Sequence, residues 1–223
     1  MPGIFITGTD TDCGKTELAC ALIRVLCAAG CRVAPFKPVA AGAVQQQGCW
    51  RNVDTQRLMT TAGGDWAYDQ VNPYCFPQAV SPHIAARQCG VQVELPKLVD
   101  AAHALADQAD WLVVEGAGGW LCPLSEQLTI SDLAIALGFP VLLVVGLRLG
   151  CLNHAQLSAR AIRQAGVRTQ GWMASQLDPE MPCWADNLAT LQADLPLDYR
   201  GCLVYRASPA QQQIFDWLIP SEM

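Results

Sequence analysis

A glycine-rich segment with a lysine and a threonine is the first stretch of this sequence that could do chemistry. It runs from Gly8 to Thr16 as GTDTDCGKT, between a short apolar run and a segment with helical periodicity. Backbone N–H groups at a helix start attract phosphate oxygens, Lys15 would reach the outer phosphates, and Thr16 could ligate Mg²⁺. The segment therefore predicts a nucleoside triphosphate site. Gly8 and Gly14 are separated by five residues instead of the usual four, so a plain glycine-rich turn is the alternative.

Two acids follow predicted strands and could complete such a site. Glu115 ends the apolar run 111–114 and precedes Gly-Ala-Gly-Gly, whose glycines let the backbone approach a ligand closely. An acid at this point in a phosphate-loop protein commonly holds magnesium. Asp54 follows the loop after the second strand and could be a further ligand, although on its own it would be interpreted as a helix N-cap. Both acids are candidate metal ligands.

Lysine is scarce in this chain, which has only Lys15, Lys37 and Lys97 against eleven arginines. Lys37 follows the second predicted strand, and strand ends at the carboxyl edge of a parallel sheet face the ligand crevice. A second ammonium there could neutralise charge that develops on a transferred phosphoryl group. An exposed lysine at a strand end is the simpler alternative.

Three further side chains could be reactive but are expected to be structural. Cys13 lies in the loop near a helix N-terminus, where a thiol pKa can fall, yet we interpret it as a small packing residue. His83 follows a Ser-Pro helix start, and His154 follows an asparagine in another helix. Neither histidine is assigned a chemical role.

Short apolar runs alternate with helical periodicity and would position these residues. The strands are predicted at residues 3–7, 32–36, 111–115, 140–145 and 169–174. The helices are predicted over 18–29, 54–61, from Ser81-Pro82 onward, 95–109, 131–138, 152–165, 184–194 and 210–218. Asp54 and Ser131 are the expected caps of their helices, Pro35 indicates an edge strand, and residues 38–53 and 63–80 are expected to be loops.

Strands separated by helices imply right-handed crossovers and a parallel sheet. Buried parallel strands need helices on both faces. The sequence therefore predicts an α/β fold of the P-loop type, in which residues 1–223 form a single doubly wound domain, mostly parallel, with helices on both faces. No repeat or linker divides it.

The composition excludes several classes of protein. With 52% hydrophobic and 15% charged residues, the chain should fold into a globular core instead of remaining disordered. A formal net charge of −6 argues against a nucleic-acid partner. The uncharged stretch 133–147 is interrupted by Gly138 and Pro140 and is too short to span a membrane. Eleven cysteines, an odd number, without a signal peptide favour a cytoplasmic protein with free thiols.

Taken together, these segments resemble the dethiobiotin synthetase family over residues 3 to about 175. Within that family the longer spacing of the phosphate loop is the normal form. The matching stretches are Gly8-Thr9-Asp10-Thr11 with Gly14-Lys15-Thr16, Lys37-Pro38-Val39-Ala40, Val71-Asn72-Pro73-Tyr74, Ser81-Pro82-His83, Glu115-Gly116-Ala117-Gly118-Gly119-Trp120 and Gly150-Cys151-Leu152-Asn153-His154.

The resemblance implies an ATP- and Mg²⁺-dependent ring closure in biotin synthesis. Its substrates would be 7,8-diaminononanoate and CO₂, and its products dethiobiotin, ADP and phosphate. One amine would take up CO₂ as a carbamate, and the γ-phosphoryl group would then transfer to that carbamate. The second amine would attack the mixed anhydride, close the ureido ring and expel phosphate.

The resemblance also implies roles for individual residues and a homodimer. Lys15, Lys37 and Thr11 would be catalytic, and Thr16, Asp54 and Glu115 would ligate magnesium. The nucleotide would contact Asp12, Cys13, Gly14, Lys15, Thr16, Glu17, Asp54, Glu115, Gly116, Ala117, Gly118, Ser175, Gln176, Val204, Tyr205 and Arg206. The substrate would contact Asp12, Lys37, Ala41, Gly118, Gly150, Cys151, Leu152 and Asn153, the last four holding its carboxylate across the dimer interface.

The chain departs from the family pattern in three places. Ala41 stands where a serine is common near the carbamate, which removes one hydroxyl donor. Ser175 and Gln176 replace an Asn-Asp pair for the nucleotide base, and residues 204–206 replace a Pro-Trp-Leu segment. A serine cannot present the paired donor and acceptor of an amide. These departures leave the nucleotide preference open.

Several alternatives have their own sequence signatures. A glutamine-dependent amidoligase normally carries an additional glutamine-hydrolysing domain, for which 223 residues leave no room. A partitioning-type ATPase usually has a second lysine where this chain has Thr9 and Asp10, and a guanine-nucleotide switch needs an Asn-Lys-x-Asp motif, which is absent. A paralogue with a changed substrate or lost activity stays open because of Ala41 and the altered base segment.

Overall fold

The structure is a computed structural model in which residues 2–205 are described. The strands are β1 (Gly3–Gly8), β2 (Val33–Phe36), β3 (Val39–Ala41), β4 (Val44–Gln46), β5 (Cys49–Arg51), β6 (Tyr74–Phe76), β7 (Trp111–Glu115), β8 (Val141–Leu147), β9 (Thr169–Gln176) and β10 (Tyr199–Leu203). The helices are α1 (Lys15–Ala28), α2 (Val53–Ala62), α3 (Tyr68–Val71), α4 (Pro82–Gln88), α5 (Leu95–Ala106), α6 (Ile130–Leu137), α7 (Cys151–Gln164) and α8 (Trp184–Asp194).

Six strands form one parallel sheet in the order β10-β9-β8-β1-β7-β2. The predicted parallel α/β fold is confirmed, and β2, which contains Pro35, is an edge strand as predicted. Neighbouring residues of β1 point to opposite faces, with Phe5 in one apolar core and Ile4 and Ile6 in the other. The first core also takes side chains from α5, α6 and α7, and the second takes them from α1 and α2. Helices therefore cover both faces.

The two predicted loops contain short elements instead. Residues 38–53 include β3 and the antiparallel hairpin β4–β5, and residues 63–80 include α3 and β6, which pairs in parallel with β3. The strand β10 was also missed. Segments of three to five residues are too short to show a periodicity, and β3 and β6 become strands only by pairing with each other.

Two predicted helix caps are wrong by two residues. The cap of α2 is Asn52, whose Oδ1 accepts hydrogen bonds from the backbone of Asp54 at 3.0 Å and of Thr55 at 3.2 Å. The cap of α6 is Thr129, not Ser131, and it forms a capping box with Asp132. In both helices the earlier residue is the N-cap, because its side chain reaches the free N–H groups of the first turn. The carboxylate of Asp54 is therefore not used as the cap of α2.

The end of the chain carries two predictions that lie outside the described residues, the helix over 210–218 and the placement of Arg206. Within residues 2–205, none of the helices has both the length and the apolar character needed to cross a membrane.

Candidate functional site

The predicted phosphate loop lies between β1 and α1, at the carboxyl edge of the sheet. The Thr9 N–H donates to the Val144 carbonyl at 3.0 Å, which ties the start of the loop to β8. Gly14 has a φ of 97°, a left-handed conformation that glycine adopts without strain and that turns the loop into the helix. The Lys15 ammonium is buried and donates to the Asp10 carbonyl at 2.6 Å. Strand, loop and helix are therefore arranged as phosphate binding requires.

Cys13 packs beneath this loop and is fully buried. Its Sγ lies 3.7 Å from the Val144 carbonyl oxygen, and a Cβ added at Gly8 would lie 2.3 Å from that sulfur. The thiol thus occupies the space that the missing side chain of Gly8 leaves. This position is consistent with the packing role predicted for Cys13.

Four side chains from four segments converge beside the loop. Glu115 at the end of β7 accepts hydrogen bonds at Oε1 from Thr16 Oγ1 at 2.8 Å and from Lys37 Nζ at 2.5 Å. Lys37 Nζ also lies 3.6 Å from Asp54 Oδ2 and donates to the Gly116 carbonyl at 3.3 Å. The structure therefore brings together the two acids, the lysine and the threonine that were predicted from separate segments.

The charge state of Lys37 follows from this environment. Burial lowers the pKa of its ammonium, but the charges of Glu115 and Asp54 and their hydrogen bonds outweigh that effect. The pKa of Lys37 is therefore raised above its ordinary value. Glu115 has a side chain that is 1% exposed, against 36% for Asp54. The Lys37 ammonium is therefore buried beside a buried acidic side chain and stays charged.

The oxygen atoms of this group fit a magnesium ion. Glu115 Oε2 is buried and has no hydrogen-bond partner among residues 2–205, so one acceptor in the site is unused. Within the same range, no cluster of three or more His, Cys, Asp and Glu side chains could hold a metal ion. Mg²⁺ is usually bound by one or two carboxylates together with phosphate oxygens and water. Thr16, Asp54 and Glu115 supply such a partial set of hard oxygen donors.

A network of side chains that the sequence reasoning missed fixes these groups in place. Asn72 is buried, and its Nδ2 donates to the Lys37 carbonyl at 2.7 Å and to the Tyr74 carbonyl at 3.1 Å. The Tyr68 hydroxyl donates to Asn72 Oδ1 at 3.2 Å and accepts from the Asn52 N–H at 2.7 Å. Burial and the hydrogen bond to Cys75 raise the pKa of Tyr68 to about 12, so its hydroxyl stays protonated.

This Asn52–Tyr68–Asn72 network connects the backbone at Lys37 to the start of α2, which carries Asp54. Asn72 stood in a stretch that was noted only for its family resemblance. Its bond to the Lys37 carbonyl spans 35 residues along the chain, so local sequence patterns could not reveal it.

Two cavities open along the carboxyl edge of the sheet. The larger, here the phosphate cleft, has a volume of about 770 Å³. The predicted site residues that line it are Thr11, Asp12, Gly14, Lys15, Thr16, Glu17, Lys37, Ala41, Asp54, Glu115, Ala117 and Gly118. The smaller, here the rim cavity, has a volume of about 360 Å³ and is lined by Gly14, Glu17, Arg24, Ser175, Gln176, Leu177, Leu203, Val204 and Tyr205.

The rim cavity contains the described residues of two of the three expected departures from the family pattern, whereas the third, Ala41, lines the phosphate cleft. Ser175 lies directly against the phosphate loop, because a Cβ added at Gly14 would come within 2.1 Å of Ser175 Oγ. The Tyr205 N–H donates to Gln176 Oε1 at 3.2 Å, which ties the end of β9 to the segment after β10. Ser175, Gln176, Val204 and Tyr205 are therefore brought together with the phosphate loop.

The segment Gly150 to Asn153 starts α7 but lines neither of these two cavities. Gly150 has a φ of 95°, and the preceding Leu149 is 99% exposed. Arg148 connects the segment to the phosphate loop, because its Nη2 donates to Asp10 Oδ2 at 2.6 Å and to the Thr11 carbonyl at 3.0 Å. The segment lies at the same edge of the sheet as the site but outside its walls.

Comparisons with known proteins identify relatives of this chain. A protein-family model described as an AAA domain matches residues 2–212. The ATP-dependent dethiobiotin synthetase BioD of Xylella fastidiosa (strain 9a5c) is 46% identical over 203 residues, 91% of this chain and 90% of that protein. The BioD protein of Pseudomonas paraeruginosa (strain DSM 24068 / PA7) is 47% identical over 202 residues, 90% of this chain and 89% of that protein.

Solved structures with low sequence identity share the fold. The MinD cell division protein of Aquifex aeolicus superposes with a TM-score of 0.58 at 13% identity, covering 99% of this chain and 92% of that one. The cell division protein FtsY of Thermotoga maritima gives 0.54 at 17% identity, covering 98% and 69%. These likenesses support the P-loop type of α/β fold. The family follows from the sequence relatives at 46% and 47% identity over about 90% of the chain: the chain belongs to the ATP-dependent dethiobiotin synthetase family.

Proposed function

We propose that this protein closes the ureido ring of dethiobiotin from 7,8-diaminononanoate and CO₂, with ATP converted to ADP and phosphate. The observation that carries the proposal is the convergence of Lys37, Glu115, Asp54 and Thr16 beside the phosphate loop in a chain of this family. This arrangement places two ammonium groups, two carboxylates and the N-terminus of α1 around one cleft. Such a cleft suits the transfer of a phosphoryl group to an oxygen anion.

The proposed reaction has three steps. An amine of the substrate adds to CO₂ and loses a proton, which gives a carbamate. A carbamate oxygen then attacks the γ-phosphorus while the bond from that phosphorus to the bridging oxygen breaks, which releases ADP. Finally the second amine attacks the carbamoyl carbon, phosphate leaves with the C–O bond electrons, and a proton is lost. Phosphorylation thus converts a poor leaving group into a good one.

In this scheme the residues of the chain bind, orient and neutralise charge. The Lys15 ammonium moves from the Asp10 carbonyl to the outer phosphates of the nucleotide, since a charged acceptor is the stronger partner. Lys37, kept protonated by its raised pKa, offsets the charge that develops between carbamate and γ-phosphate. Thr11 and Asp12 line the cleft beside them, and the backbone of residues 116–118 lies within reach of substrate and nucleotide.

Magnesium has a defined place in this proposal. Thr16, Asp54 and Glu115 would hold it, and the unused Glu115 Oε2 is the observation that supports this. When bound, the ion supplies charge neutralisation to the phosphate oxygens.

The remaining site residues follow from the two cavities. The nucleotide base would enter the rim cavity against Ser175, Gln176, Val204 and Tyr205, with Cys13 and Gly14 forming the loop that joins base and phosphates. The substrate would lie in the phosphate cleft near Ala41, whose methyl group offers no hydrogen bond. Arg206 is proposed as a base contact as well and lies outside the described residues.

We further propose a cytoplasmic homodimer built from one domain per chain. Residues 150–153 begin a helix whose free N–H groups suit a carboxylate, and their position outside both cavities fits a contribution to the site of a second copy. All eleven cysteines are free thiols, which suits a reducing compartment. Light scattering would give twice the monomer mass for the dimer, and the monomer mass would refute this part of the proposal.

The experiment that tests the reaction is phosphate release with 7,8-diaminononanoate, bicarbonate and Mg²⁺, with the product identified by mass spectrometry. ATP, CTP and GTP would be compared to rank the nucleotides. We expect dethiobiotin to form and its formation to be lost in Lys15→Ala. If nucleotide binds but no diamine-dependent turnover occurs with any of the three, the chain acts on a different substrate and the proposal fails.

A further inference from the structure

Among residues 2–205, the phosphate cleft and the rim cavity share three lining residues, Gly14, Glu17 and Leu177. A nucleotide that places its phosphates over the loop and its base in the rim cavity must cross this boundary with its sugar. Gly14 has no side chain and Leu177 has an apolar one. Glu17 is therefore the shared residue whose side chain can hydrogen-bond to the sugar.

Glu17 is held in a defined direction by a residue of another helix. It follows Thr16 in the first turn of α1, and its Oε1 lies 2.5 Å from Nη2 of Arg57 on α2. The side chains are 55% and 43% exposed, so both face the open edge of the site. Arg57 lines the phosphate cleft and comes three residues after Asp54. The sequence alone does not indicate that Glu17 and Arg57 form a pair.

The charges at this boundary constrain what Glu17 can do. A carboxylate close to a phosphate chain repels it unless a cation offsets the charge, and Arg57 supplies that cation. A carboxylate is also a strong acceptor for the neighbouring hydroxyl groups of a ribose. A deoxyribose lacks one of those donors.

We propose that Glu17, positioned by Arg57, recognises the ribose hydroxyls and makes this protein selective for ribonucleotides over deoxyribonucleotides. Glu17 is the residue that touches the sugar, and Arg57 acts through it. The inference rests on the proposed function for the orientation of the nucleotide. The inference accounts for recognition of the sugar, which is explained neither by the phosphate loop nor by the residues proposed to contact the base.

The test measures the dissociation constants of Mg–ADP, 2′-deoxyADP and 3′-deoxyADP by competition with a fluorescent nucleotide. The wild-type protein should bind ADP about tenfold more tightly than at least one deoxy form, since a hydrogen bond to a charged group is lost. Glu17→Leu should bind all three within about twofold of one another, and Glu17→Gln, which keeps a neutral acceptor, should be intermediate. Asp107→Asn, an exposed acid just after α5, is the control and should keep the wild-type selectivity.

Wild-type protein that binds all three nucleotides equally would overturn the proposal, as would Glu17→Leu with undiminished selectivity. Melting temperatures of the variants would show whether each one is folded. Dethiobiotin formation is measured in parallel. A protein that makes dethiobiotin without sugar selectivity refutes this inference alone, whereas sugar selectivity without product refutes the proposed reaction alone.

The role of Arg57 is tested by a double-mutant cycle. Arg57→Leu should weaken ADP binding in the wild-type background, because Glu17 is then neither held nor neutralised. In the Glu17→Leu background the same change should alter ADP binding by less than about twofold. Equal weakening in both backgrounds would mean that Arg57 contacts the nucleotide directly, and its positioning role would be wrong.

Discussion

The phosphate cleft and the rim cavity are built in different ways. In the phosphate cleft, Lys37 and Glu115 are almost completely buried and are paired with each other where the adjacent strands β2 and β7 end. The rim cavity lies on the other side of the sheet, at the ends of β9 and β10. Its contact between Tyr205 and Gln176 is a neutral hydrogen bond at 3.2 Å.

This difference separates the requirements of the reaction from those of nucleotide choice. Charges in a buried site must be paired and fixed, so few substitutions are tolerated there. Neutral contacts contribute less and can be exchanged one at a time. The departures at Ser175 and Gln176 fall in the second region, while the lysines and acids of the first keep the family pattern.

The largest effect is expected from Lys37→Ala. The change leaves the carboxylates of Glu115 and Asp54 without their shared cation, and the phosphoryl group loses a stabilising charge. Dethiobiotin formation should fall by about 10²- to 10³-fold in kcat/KM. Lys97→Ala, which removes an exposed lysine of α5, is the matched control and should retain activity. A loss of less than tenfold in Lys37→Ala would mean that the phosphate cleft tolerates substitution as well as the rim cavity does.

A second prediction concerns the support beneath the phosphate cleft. Asn72→Ala removes the donors to the Lys37 and Tyr74 carbonyls and leaves these acceptors unsatisfied. The free energy of unfolding should fall by about 2–3 kcal/mol, measured by urea denaturation. Asn187→Ala removes an exposed Nδ2 bond to the Cys183 carbonyl and should cost less than about 0.5 kcal/mol. Equal losses in both variants would show that the Asn52–Tyr68–Asn72 network does not stabilise the site.

A smaller effect is expected at the rim cavity. Gln176→Ala breaks the neutral bond to the Tyr205 N–H, so the KM for nucleotide should rise about two- to tenfold while kcat stays within about twofold. Steady-state kinetics at saturating diamine would measure both constants. Gln164→Ala, at the exposed end of α7, serves as the control. A large drop in kcat would mean that the rim cavity takes part in positioning the reacting groups.

The smallest effect is a pH dependence at the wall of the phosphate cleft. Cys122 lines the cleft, and burial raises the pKa of its thiol, although a hydrogen bond from Ser81 partly opposes this. Because the reactive form is the thiolate, which is scarce below the raised pKa, alkylation by iodoacetamide should be slow at pH 7 and accelerate as the pH rises. Peptide mass spectrometry would follow Cys122 against the exposed Cys49. A rate that does not change between pH 7 and 9 would contradict the expected environment.

The parts of the fold that the sequence revealed are those with a long, local signal. Continuous apolar runs predicted β1, β7 and β8, and the glycines and apolar spacing predicted α1 and α7. The short strands β3 and β6 were missed because each is extended only through pairing with the other. The cap of α2 was misassigned because Asn52 and Asp54 are both good caps, and the bonds from Asn52 to Asp54 and Thr55 decide between them.

At the site, sequence motifs identified the residues that carry the chemistry but not the side chains that hold those residues in place. Lys37 and Glu115 were found because strand ends at one sheet edge face the ligand crevice. Thr16 was found through the phosphate-loop motif, and Asp54 as an acid after the loop that follows the second strand. The pairing of Arg57 with Glu17 spans 40 residues, and no local sequence pattern predicts such a contact.

The hairpin β4–β5 lines neither the phosphate cleft nor the rim cavity, and its Gln46 is hydrogen-bonded to Gln56 of α2. Residues 44–50 are exposed, and the two ends of the excursion are joined where Asn52 Nδ2 donates to the Ala41 carbonyl at 3.2 Å. A bond across the base of a loop holds its two ends together, and exposed loop tips tolerate insertions. The tip at Gln47 and Gly48 is therefore a position where a peptide tag or a fluorescent reporter could be inserted without disturbing the ends of the neighbouring strands.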